Sequence, residues 1–64
     1  MIKVKTFASP LKIFHVKQQL EELDDRVNQF LAKNDIAQVV SVNDACTTDE
    51  SGATIGIIRV VAYR

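Results

Sequence analysis

A thiol, an imidazole and a set of carboxylates are the side chains from which this chain would have to build chemistry. Cys46, the single cysteine, becomes a nucleophile only with a base such as His15 brought against it. No spacing in the sequence arranges that. Cys46 reads as a small hydrophobe near the end of a half-buried strand, and His15 as an exposed or capping residue at a helix entrance. One cysteine and one histidine also exclude an internal disulfide and a closed Cys/His zinc site. Glu21, Glu22, Asp24 and Asp25 fall on different sides of a helix and do not converge on a cation; with Lys17 and Arg26 as neighbours they read as a solvated face. Asp44, Asp49 and Glu50 lack the oxygen-ligand spacing of a calcium loop and read as polar turn residues. The sequence thus predicts no catalytic residue, no metal ligand, no cofactor and no enzymatic activity.

One cationic set remains. Lys3, Lys5 and Arg59, with Phe7 and Tyr63 beside them on a flat sheet, form a candidate anion-binding surface of the kind that holds single-stranded nucleic acid. Tyrosine, phenylalanine and arginine are equally the residue types of interface cores.

The elements that must position these residues follow from periodicity. Ile2 to Phe7 alternates, as a half-buried strand does, and Ser9-Pro10 is expected to break it or to start a helix. Ile13, Val16, Leu20, Leu23, Val27 and Phe30 recur at three and four, widened by Leu31, opposite Gln18, Glu22, Asp25, Arg26, Gln29 and Lys33; this predicts an amphipathic helix over about 13–33, closed by Asn34 as a left-handed C-cap. A wetter strand over about 38–48 and an apolar one over 53–63 flank Asp49-Glu50-Ser51-Gly52, a hairpin signal.

Sixty-four residues form one domain, 1–64, and bury only about 60% of the unfolded surface. Eight basic and eight acidic residues cancel, which argues against bulk nucleic acid or an anionic membrane as main partner. No apolar run reaches the ~18 residues of a membrane span, and Met-Ile-Lys-Val-Lys alternates instead of forming a leader's apolar block. With a lone free thiol, a reducing cytoplasm is expected.

The predicted fold class is α+β: a β-α-β-β chain whose three-stranded antiparallel sheet has the order 1-3-2, with the doubly apolar last strand central and the helix on one face. Arg59 decides the expected faces, because a guanidinium under a helix costs several kcal/mol unless paired. The helix is therefore expected over Gly56, Ile58, Val60 and Ala62. Ile55, Ile57, Arg59, Val61 and Tyr63 are expected to lie open and to form the interface of a homo-oligomer, a dimer first of all. Two alternatives accompany it: a nucleic-acid or anionic-ligand module using Lys3, Lys5 and Arg59, and a small regulator that docks on a larger protein by adding an edge strand.

Ile2-Lys3-Val4-Lys5 with Phe7, Val27-Asn28-Gln29-Phe30-Leu31 and the closing apolar strand resemble a family of small sporulation-associated proteins of Gram-positive bacteria. That resemblance implies a bacterial source but no activity, since the family has none assigned. The element order is also similar to that of dodecins, flavin-binding proteins that assemble into shells. Their flavin is held by stacked tryptophans, which this chain lacks, so the likeness implies assembly alone.

Overall fold

Alternation, an amphipathic stripe and a glycine turn produce four elements in sequence: β1 (Lys3–Pro10), α1 (Val16–Lys33), β2 (Val39–Thr48) and β3 (Thr54–Tyr63). The structure is a computed structural model that describes every residue except Ile13 and Ala53. The expected β-α-β-β order and antiparallel sheet β1-β3-β2 are both present. The central strand is the one with apolar residues on both sides.

The two strand pairings fix which residues share a face. In β1, Lys3, Lys5 and Phe7 lie opposite Tyr63, Val61 and Arg59; in β2, Val42, Asp44 and Cys46 lie opposite Val61, Arg59 and Ile57. Directly opposed residues of antiparallel strands point to the same side, so these side chains occupy one face. Val4, Thr6 and Ala8, with Ala62, Val60 and Ile58, occupy the other, joined from β2 by Ser41, Asn43 and Ala45.

The helix covers the first of these faces. Leu23 and Val27 of α1 are buried against Phe7, Ile57 and Val61, and Leu20, Phe30, Leu31 and Tyr63 pack around that cluster half-buried. This inverts the expected arrangement. Ile57 at 8% and Val61 at 0% exposure lie inside the monomer and offer no open surface, while Ile58 and Val60 face away from α1.

Three boundaries differ from the sequence expectation. β1 continues through Ser9 to Pro10, because β1 is an edge strand and the missing proline N–H removes no ladder bond there. The helix starts at Val16 with His15 at the N-cap, whose side chain makes no capping hydrogen bond; the sequence placed its start near Ile13, outside the described residues. At the other end Asn34 keeps φ −100°, and Asp35 takes the left-handed conformation with φ 51°. Asp35 N–H donates to Ala32 O and Ile36 N–H to Leu31 O, the paired closing bonds of a Schellman turn. Asn34 instead donates its side-chain Nδ2 to Phe30 O at 2.9 Å.

At the hairpin, the Asp49 carboxylate accepts from Ser51 N and Ser51 Oγ, and Gly52, at φ 85°, returns its N–H to Asp49 O. A side chain would be strained at that backbone angle.

Candidate functional site

The sheet's charges are segregated. Lys3, Lys5, Asp44 and Arg59 are all the charged residues in the strands, and the pairing puts every one of them on the helix side. Arg59 enters that side because it is paired on both flanks. Its Nε donates to Asp44 Oδ1 at 2.9 Å and its Nη2 to Asp44 Oδ2 at 3.1 Å, a bidentate grip across adjacent strands. Its Nη1 donates to Asp24 of α1. Asp44 first, then Asp24, hold the guanidinium well above its ordinary pKa against an opposing desolvation. The Arg59 side chain is 15% exposed and the two carboxylates 39% and 56%, so this is a half-buried clamp from central strand to helix and edge strand.

The predicted cationic surface is thereby taken apart. Phe7 packs edge-to-face on Phe30 at 5.7 Å and Tyr63 on the same ring at 5.4 Å, so both aromatics are engaged beneath α1. Lys5 Nζ lies 5.8 Å over that Phe30 ring. Lys3, Lys5, Arg59, Phe7 and Tyr63 do share a face, as expected, but it is the covered one. An anion would have to displace two carboxylates to reach Arg59.

Cys46 is exposed, opposite Ile57 at the far end of β2. His15 is also exposed, at the N-cap. No group of three or more histidine, cysteine, aspartate or glutamate residues able to hold a metal ion occurs among the described residues. Glu22 accepts from Gln18 at 3.2 Å along the helix, as a solvated face does.

The opposite face has a different composition. Val4, Thr6, Ala8, Pro10, Ser41, Asn43, Ala45, Thr47, Gly56, Ile58, Val60 and Ala62 share it, and not one of them ionises. Val4 is 66% exposed and Ile58 36%. Neighbouring atoms leave no room for a side chain at Gly56, where an added Cβ would stand 2.8 Å from Thr47 Oγ1 and 3.3 Å from Ser9 O. At the β1–β3 end, Ala8, Pro10, Ile55, Gly56 and Ile58 border an open apolar cleft of about 390 Å³. Its polar side chains are those of Ser9 and Thr47, and no charged residue lines it, so little in it would orient a small ligand.

No family model, curated protein or solved structure matches this chain. Among the described residues no helix is long and apolar enough to cross a membrane.

Proposed function

We propose that this chain is a non-enzymatic, cytoplasmic domain whose role is carried by self-association through the uncharged face of its sheet. The observation that carries this reading is an uncharged face left open on a chain that exposes more surface than its size requires. At 7.1 kDa a compact monomer exposes about 4,100 Å²; this chain exposes 4809 Å². The excess, about 700 Å², approaches the ~800 Å² that each partner contributes to a standard interface. The shape agrees, since the radius of gyration is 13.1 Å where a compact domain of this length has about 11 Å.

Desolvating Val4, Ile58, Val60 and Ala62 costs no ionic hydration, and each square ångström of apolar surface removed is worth about 25 cal/mol. A second copy supplies the matching uncharged partner by a two-fold axis. Light scattering across a roughly hundredfold dilution tests this by mass action. The wild type is expected to associate as concentration rises, and Ile58→Asp, which sets a carboxylate on the open face, to associate less than wild type with its secondary structure intact. A folded wild-type monomer at every concentration removes the reading.

A further inference from the structure

The two outer strands end the sheet in different ways. The β1 edge is closed. Arg26 of α1 reaches over it and donates Nη2 to Ala8 O at 2.6 Å, Pro10 brings no N–H, and Lys3 and Lys5 stand along the strand as solvated charges, all devices that keep a second strand away. The β2 edge is bare. From Val39 to Thr48 it carries no lysine, arginine or proline, and its one ionisable strand residue besides the thiol, Asp44, is already neutralised by Arg59. It is also uncovered from above, since α1 is centred on β1 and β3 and leaves Val39 41% and Val42 50% exposed on the helix side.

We infer that β2 is an interaction edge, and that its partner is β2 of a second copy running antiparallel to it. A peptide selected by charge would need an uncompensated charge to read, and the edge has none. An uncharged strand of valine, serine, asparagine, alanine and threonine is best matched by one of the same composition. Closure points the same way: two open edges would propagate pairing without end, whereas one closed and one open edge stop it at two copies. The bulges at Val39/Ser41 and Thr47/Thr48 confine regular pairing to the stretch between them. A two-fold axis at Val42 opposes that valine to its own copy and keeps the two Asp44 residues roughly 13 Å apart along the strand direction, beyond the ~8 Å reach of screened charge at physiological salt.

If the open-face association also holds, on which this one consequence rests, the two axes are perpendicular. The contacts then close on four copies, two six-stranded sheets face to face with the helices outermost. The edge itself stands without that reading.

Mass measurements on wild type, Ile58→Asp, Val42→Lys and the double variant separate the two contacts. The edge predicts that Ile58→Asp still dimerises at high concentration, that adding Val42→Lys makes it monomeric, and that amides within 41–43, the residues a two-fold axis at Val42 pairs inside the bulges, gain protection from hydrogen exchange as the protein is concentrated. An Ile58→Asp protein that stays monomeric, with β2 exchange independent of concentration, overturns the edge and leaves the face. Ile58→Asp indistinguishable in mass from wild type, with Val42→Lys alone monomeric, upholds the edge and removes the face. Val42 is half in water, so the lysine is expected to leave the monomer's far-ultraviolet circular dichroism unchanged; if it does not, the exchange measurement on wild type decides alone.

Discussion

The two faces of one three-stranded sheet are built by opposite rules. The side beneath α1 holds Phe7, Ile57 and Val61 in the core and also every charge the strands possess, with Arg59 gripped by Asp44 and Asp24. The side away from α1 has neither a large buried side chain nor a charge. Ordinary practice puts the charges on the open side; here the apolar core follows the rule and the charges do not. The difference shows that apolar content alone does not choose which side a helix takes: paired charges can enter the covered side, and an uncharged side can be left open to face another surface.

The sharpest way to break that comparison is to put the same charge on neighbouring residues of opposite side. Ile57→Asp buries an unpaired carboxylate in the core and is expected to cost about 4 kcal/mol or more, a large part of the roughly 3–10 kcal/mol available to a chain of this size. Loss of the urea unfolding transition is the expected observation. Arg59→Met comes next. It frees two carboxylates beside each other, and because both are partly in water the expected loss is about 1–2 kcal/mol, read as a lowered urea midpoint.

That clamp also has a definite pH sign. The raised guanidinium pKa means its contribution is complete below the unfolded value and disappears only when pH climbs through the higher folded one. From the arginine side, stability is therefore expected to be flat across the neutral and moderately alkaline range, in wild type and in Arg59→Lys alike. Ile58→Asp on the open side, where Ile58 is 36% exposed, is expected to cost about 1 kcal/mol when it and wild type are both dilute, well short of Ile57→Asp. A loss as large as that of Ile57→Asp would show the two faces to be equivalent in energy and end the contrast. Asp35→Gly relieves the left-handed backbone after α1 and is expected to gain about 0.5 kcal/mol, a small rise in thermal midpoint.

Much of the architecture was legible from residue types alone. The strand order followed from one segment, Thr54–Tyr63, being apolar on both sides, and the helix stripe from Leu20, Leu23, Val27 and Phe30 named the residues that pack. The choice of face was not legible, and one residue accounts for it. Arg59 argues against a covered position only if it is unpaired, and its partners lie 15 and 35 residues away in sequence. Cross-strand and helix-to-sheet ion pairs of that separation leave no local pattern. By sequence Asp24 belongs to a solvated carboxylate run, yet it sits one position from the buried Leu23, and that adjacency is the signal that admits it to the sheet side. Pro10 misled for a related reason: proline interrupts a central ladder, and only the finished strand order shows that its strand is an edge. Phe14, 97% exposed at φ 73°, had no pattern to announce it.

The central position of β3 has a consequence for synthesis. Within one copy, and among the described residues, β1 and β2 each pair with this strand alone, and it is the last of the four elements made. Until it leaves the ribosome, the emerging chain holds a helix and two unpaired strands with nothing to zip onto. Sheet formation is thereby deferred to a single late step, and a nascent chain stalled before Thr54 is expected to remain protease-sensitive along its whole length.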